Sequence, residues 1–143
     1  MPISFHKEQI EFQLPPEEHL TQWLSGIAHD ADCVISQISY VFCSDEYLLD
    51  INKTYLDHDY YTDIITFPYK QGKEIESDIF ISIDRIKENA QSYGVTFDDE
   101  LLRVIAHGVL HMVGYGDKTD EQQIEMTKME NQALDSWRAR IAD

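Results

Sequence analysis

Apolar residues recur at the spacing of one helix face in five stretches of the chain. Several of these stretches carry helix-terminus residues, such as Gly94 after the third and a capping box of Thr119 and Gln122 before the fifth. The buried stripe of the fifth comprises Met126, Met129, Ala133, Trp137 and Ile141. The predicted helices span Glu17 to about His29, Glu46 to about Leu56, Asp84 to Tyr93, Phe97 to Met112, and the segment from the capping box to Ile141.

Shorter runs between these helices are rich in β-branched and aromatic residues, which favour strands. Alternation in residues 1 to 14 predicts an edge strand or two. Further strands are predicted over Val34 to Phe42, over Ile64 to Phe67 with Pro68 closing the strand, and over Asp78 to Ile83. A turn at residues 70 to 73 makes the last two a hairpin-like unit. This order predicts an α+β fold, a mixed and mostly four-stranded sheet with helices packed on it.

The length of 143 residues and the hydrophobic content of 43% predict one domain over residues 1 to 143. No apolar run approaches the roughly 20 residues of a membrane span, and no export signal is visible, so we expect a cytoplasmic protein without a membrane partner. Cys33 and Cys43 flank one predicted strand, too far apart for a disulfide. We expect both to be reduced and buried.

The net charge of −16 opposes nonspecific binding to nucleic acid, which needs Lys and Arg contacts to phosphate. This charge is evidence against an RNA or DNA substrate. It does not exclude one, because a protein that meets its substrate through a metal ion or a partner needs only a local positive surface.

His107 and His111 lie four residues apart in a predicted helix, so both imidazoles project from one face. Gly114 lets the chain reverse and bring Asp117 toward them. Two imidazoles and one carboxylate suit zinc and leave a fourth position open for water, which indicates hydrolysis. The alternative is that the two histidines merely flank a core helix. A protease helix of the His-Glu-x-x-His type would place its general base where Gly108 stands, so the sequence disfavours peptide hydrolysis.

The segment from His107 to Asp117 closely resembles the His-Gly-x-Leu-His-Leu-x-Gly-Tyr-Asp-His motif of the YbeY family, bacterial rRNA maturation factors regarded as metal-dependent endoribonucleases. Residues 49 to 55 with 62 to 68, and residues 78 to 82, resemble two further blocks of that family. The resemblance therefore covers most of the chain.

This resemblance implies a single-strand-specific endoribonuclease that acts in rRNA processing, at the 3′ end of 16S rRNA, and in ribosome biogenesis. It implies one zinc ion per chain, with precursor rRNA and the ribosome or ribosomal proteins as partners and no DNA. Gly116 and Asp117 replace the closing Asp-His pair, so the implied ligands are two histidines and one aspartate. A carboxylate ligand widens the metal preference toward manganese or iron. Leu56 stands where the family has an arginine suited to clamping phosphate.

Other side chains are candidates for supporting roles. Asp63 is a candidate for orienting a ligand histidine or capping a turn, and Tyr115 for stacking on a base or packing the turn. Lys53, His58 and Lys118 are candidate substitutes for the missing arginine, or else solvated surface charges. Two alternative functions stay open: a non-catalytic ribosome-associated maturation factor with a structural metal, and a metallohydrolase of another substrate.

Overall fold

The computed structural model describes residues 2 to 57 and 61 to 142. Five helices and four strands occur within these residues, in the order β1 (Ile3–Glu8), α1 (Glu17–Asp30), β2 (Val34–Cys43), α2 (Asp45–Tyr55), β3 (Ile64–Lys70), β4 (Glu74–Ser82), α3 (Ile83–Tyr93), α4 (Phe97–Met112) and α5 (Asp120–Ile141). The strands form one sheet in the order β1-β2-β4-β3. Strands β1, β2 and β4 are parallel, and β3 runs antiparallel to β4. The predicted mixed four-stranded α+β fold is confirmed.

The sheet buries apolar side chains on both faces. Alternate residues of β2 and β4, such as Tyr40 and Ile79, join the main core with α1, α3, α4 and α5. Tyr40 donates a hydrogen bond of 2.7 Å to the carbonyl of Ile105, which ties α4 to the sheet. A smaller cluster of Cys43, Leu48 and Ile65 lies under α2 on the opposite face. Helix α4 thus lies against the sheet, with α5 packed against it.

Element boundaries differ from the prediction at three strands. Within the predicted stretch, the described residues 2 to 14 hold one strand, which ends before Gln9, where the backbone has a φ of 58°. Strand β3 continues through Pro68 to Lys70, because it is an edge strand with a register shift there and therefore tolerates the missing N–H. Strand β4 begins at Glu74, where it pairs with β2, and ends at Ser82 because the Ser82 hydroxyl caps α3.

The predicted helices are confirmed within a residue or two of their ends, and α4 spans the predicted 97 to 112. Ile141 was wrongly placed in the buried stripe of α5, since its side chain is 53% exposed at the end of the helix. Cys33 and Cys43 are buried free thiols, as predicted. Within the described residues, no helix has the combined length and apolar character needed to cross a membrane.

Candidate functional site

Helix α4 lies unusually close to the sheet at the turn that carries the two histidines. A Cβ atom at Gly108 would lie 3.0 Å from Cδ1 of Ile79 and 3.4 Å from Cδ1 of Ile64. The residue beside His107 must therefore be small, because it faces the packed sheet. His107 and His111 lie on the same helix and are both half-buried. A glutamate at position 108 would crowd the side chains of Ile79 and Ile64.

The turn after α4 brings Asp117 back to the helix. Gly114 adopts a φ of 120°, and the amide of Tyr115 donates to the carbonyl of Leu110 at 3.0 Å. The capping box of Thr119 and Gln122 then starts α5, as predicted. These local bonds hold the turn in one conformation.

Two glutamines of α5 secure the same turn. The side-chain oxygen of Gln122 accepts hydrogen bonds from the backbone amides of Lys118 and Thr119, at 3.0 and 3.2 Å. Gln123 donates from its side-chain nitrogen to the carbonyl of Asp117 at 3.1 Å. A Cβ atom at Gly116 would lie 2.8 Å from the end of the Gln122 side chain, so a larger residue there would displace that capping side chain. The glycine that departs from the family motif thus makes room for the capping residue.

His107 lies between two carboxylates. Its Nε2 atom is 3.5 Å from Oδ2 of Asp117, and its Nδ1 atom is 2.8 Å from Oε2 of Glu130. The other oxygen of Glu130 accepts a hydrogen bond of 3.0 Å from Nη1 of Arg103, whose Nη2 donates to Oδ1 of Asn131 at 2.7 Å. A chain of contacts therefore runs from α5 through Arg103 and Glu130 to His107 and Asp117.

The surrounding charges favour a protonated His107. Burial opposes protonation, but the hydrogen bond to Glu130 and the negative charges of Glu130, Asp117 and Asp63 outweigh it and raise the pKa of His107. The pKa of Asp63 is raised for a different reason. Burial penalises the charged carboxylate, and this effect outweighs the attraction of His107 and two backbone hydrogen bonds, which both favour the charged form. The site is therefore a local concentration of negative charge around one imidazole.

The side chains of His107, His111 and Asp117 are of the types that bind divalent metals, and two of the three lie close together. His107 and Asp117 face one another, and the Nδ1 atom of His111 is buried without a hydrogen-bond partner among the described residues. A buried imidazole nitrogen of this kind is a donor or acceptor still to be satisfied. Across residues 2 to 57 and 61 to 142, no three His, Cys, Asp or Glu side chains are grouped as a ready metal site. The set of His107, His111 and Asp117 stays a prediction.

The remaining candidates fall in different places. Asp63 is near enough to His107 for their charges to interact, and its backbone carbonyl accepts a hydrogen bond from the amide of Ser82 at 3.0 Å. Tyr115 is half-buried and packs against the main core, which favours its packing role. Lys118 is exposed beside Asp117, whereas His58 lies outside the described residues.

Lys53 lies in the last turn of α2, and Leu56 directly follows the helix. Lys53 is exposed, and the side chain of Leu56 is 37% exposed. Their roles in binding a substrate stay predictions.

Glu130 and Arg103 were not predicted as site residues from the sequence. Glu130 is buried, and it lies four residues after Met126 and seven before Trp137, so it occupies the buried stripe of α5. A charged residue in an apolar stripe needs a partner, because an isolated buried charge is costly. The place of Glu130 in this apolar stripe was the feature of the sequence that indicated a functional role.

The model of the family described as Endoribonuclease YbeY matches residues 3 to 138. A relative named Endoribonuclease YbeY from Cytophaga hutchinsonii is 50% identical over 133 residues, which are 92% of this chain and 93% of that protein. A relative of the same name from Bacteroides thetaiotaomicron is 42% identical over 94% of this chain and 98% of its own. The solution structure of TM1509 from Thermotoga maritima is similar in fold, with a TM-score of 0.67 and 24% identity over 97% of this chain and 93% of that one.

Proposed function

Because the chain belongs to the endoribonuclease YbeY family, we propose that it cleaves single-stranded RNA during rRNA maturation, using a divalent metal ion bound by His107, His111 and Asp117. Zinc is the first candidate for this ion, since two imidazoles and one carboxylate are typical zinc ligands. Precursor rRNA is the proposed substrate, and the ribosome or its proteins are the proposed partners.

The observation that carries the proposal is the meeting of His107 and Asp117 across the glycine turn, with a separation of 3.5 Å between Nε2 and Oδ2. These residues are ten apart in the chain, and the Gly114 turn and the capping box bring them together. His111 lies one helical turn after His107 on α4 and has a buried ring nitrogen without a partner. The family motif supplies all three residues, and the approach of Asp117 to His107 supports this choice for two of them.

Each residue has a chemical role in this proposal. A bound divalent ion would supply an activated water and polarise a phosphoryl oxygen of RNA. His107 and His111 would bind it through neutral ring nitrogens, which makes binding weaker at acidic pH, where His107 holds a proton because of its raised pKa. Asp117 contributes the negative charge that compensates the cation. Lys118, exposed beside Asp117, is a candidate contact for phosphate.

Buried Gly108 separates this reaction from peptide hydrolysis. A glutamate at that position would have to occupy the space of Ile79 and Ile64. The attacking water must therefore be deprotonated without a neighbouring helix glutamate. Asp63, whose charge interacts with His107 and whose pKa is raised by burial, is a candidate for taking that proton.

The test compares RNA cleavage by the purified protein after chelation and after zinc or manganese is restored. The triple variant His107→Ala, His111→Ala, Asp117→Ala is expected to lose metal binding and cleavage of single-stranded RNA. His29→Ala is the matched control, because His29 is an exposed histidine in α1. Full cleavage by the chelated triple variant would refute the proposal.

The same preparations discriminate the alternatives. If the wild-type protein binds metal but cleaves no RNA, and cells carrying the triple variant still process precursor rRNA normally, the chain is a non-catalytic maturation factor. If it hydrolyses small phosphate esters and leaves single-stranded RNA intact, it is a metallohydrolase of another substrate. Either result contradicts the endoribonuclease proposal.

A further inference from the structure

We propose that Glu130, held by Arg103, is a positioning residue that fixes the tautomer and the ring orientation of His107. The role in metal binding rests on the function proposed above, whereas the tautomer itself can be measured in the metal-free protein. The contacts that carry the proposal are the hydrogen bond of 2.8 Å between His107 Nδ1 and Glu130 Oε2 and the ion pair of 3.0 Å between Arg103 and Glu130 Oε1.

The hydrogen-bonding capacity of each group decides the tautomer. An ionised carboxylate can only accept, so the Nδ1 atom of His107 must carry the hydrogen in their shared bond. In the neutral ring, Nε2 is then the nitrogen with the free lone pair. Nε2 is also the atom that faces Asp117. Glu130 therefore leaves free the nitrogen that points into the candidate site.

Arg103 determines how Glu130 can act. Arg103 and His107 are four residues apart on α4, so one carboxylate from α5 can bridge both. Arg103 occupies Oε1 while Asn131 anchors its other terminal nitrogen, which leaves Oε2 for the histidine. The positive charge of Arg103 also offsets the charge of Glu130. A carboxylate so restrained is kept from turning into the site as a competing ligand.

A purely structural role would be to join α4 to α5. The ion pair between Arg138 and Asp99 also joins these helices, at 3.3 Å, and it involves no histidine of the site. Loss of that pair should affect stability alone. Loss of Glu130 should also change the ring nitrogens of His107 and the affinity for metal, because partners of ligand histidines fix their orientation.

The experiment measures the ¹⁵N chemical shifts of the histidine rings in the full-length, metal-free protein at alkaline pH, where the rings are neutral. The wild-type His107 is expected in the form protonated at Nδ1. Glu130→Gln should mix or reverse the tautomers, because an amide can also donate, and Arg103→Lys should give an intermediate result. Two variants in α5 are the controls and should resemble the wild type: Glu125→Gln, at an exposed position, and Arg138→Met.

Zinc affinity is then measured by competition with a chromophoric chelator. Glu130→Gln is expected to weaken zinc binding roughly 10- to 100-fold, with Glu125→Gln and Arg138→Met unchanged. A wild-type His107 protonated at Nε2, or a Glu130→Gln variant with unchanged tautomer and zinc affinity, would overturn the inference. If Glu130→Gln fails to fold, the wild-type tautomer and the Arg103→Lys variant decide it.

The two proposals can fail independently, because zinc binding and the tautomer of His107 are measured separately. A wild-type protein that binds no zinc refutes the metal site. The Nδ1-protonated form of His107 in that same protein would still support the positioning role of Glu130.

Discussion

The close approach of α4 to the sheet can be tested by adding one methyl group at Gly108. An alanine in a helix interior is more favourable than glycine by about 1 kcal/mol, whereas overpacking a dense core costs about 1 to 3 kcal/mol. The new Cβ would lie 3.0 Å from Cδ1 of Ile79. Gly108→Ala should therefore lower the free energy of unfolding by about 0 to 2 kcal/mol, the difference between these two effects.

Gly26→Ala is the matched control for this substitution. Gly26 lies within α1, and a Cβ atom there would lie 4.0 Å from the flexible guanidinium of Arg140. The helix preference for alanine should be gained there without overpacking, so unfolding should become harder by about 0.5 to 1 kcal/mol. Urea denaturation of both variants measures the contrast.

A double-mutant cycle with Ile79→Val tests the cause. This change removes the Cδ1 atom that crowds position 108, and it should cost about 0.5 to 1.5 kcal/mol alone. Combined with Gly108→Ala, it should relieve the clash, with a favourable coupling of about 1 to 2 kcal/mol. Additive effects of the two substitutions, or an increase in stability for Gly108→Ala equal to that of Gly26→Ala, would refute the close-packing argument.

Three further predictions concern other groups. Burial, followed by the charges of Asp45 and Asp84, raises the pKa of Cys43 to about 12. Iodoacetamide should therefore label this thiol far more slowly in the native protein than after unfolding, as measured by peptide mass spectrometry. Equal labelling rates would contradict the burial of Cys43. Burial, followed by Asp63, raises the pKa of Glu100, so its contribution to stability is present at low pH and lost as pH rises through the raised value. Glu100→Gln in metal-free protein should therefore gain stability relative to the wild type between acidic and neutral pH in urea denaturation, and a pH-independent difference would refute this. Asp117→Asn should weaken zinc binding by about 100-fold or more in a chelator competition, since it removes a charged ligand; unchanged affinity would remove Asp117 from the metal set.

The sequence predicted the fold well because its periodicities agree with its capping residues. The apolar stripe of α4 and the capping box at Thr119 set helix boundaries through local chemistry alone. Strand boundaries were less predictable, because they depend on pairing with a distant strand. Glu74 belongs to β4 since Val34 lies opposite it, and Pro68 is accommodated since β3 has a neighbour on one side only.

In the candidate site, too, local features were predictable from the sequence and tertiary contacts were not. The spacing of His107, His111 and Asp117 is local, and the structure brings His107 and Asp117 together. Glu130 lies 23 residues from His107, so its bond to that ring depends on how α5 packs against α4. Only tertiary packing identifies such a partner, although the burial of a charged residue in an apolar stripe indicated that one was needed.

The course of β3 through Pro68 affects how this protein behaves at high concentration. Edge strands offer unpaired backbone groups to other chains and are a common origin of aggregation. Pro68 has no N–H to offer an approaching strand, the register shift between Pro68 and Lys70 interrupts a flat edge, and Lys70 adds a charge. The irregular course of β3 therefore protects this edge of the sheet against pairing with strands from neighbouring molecules.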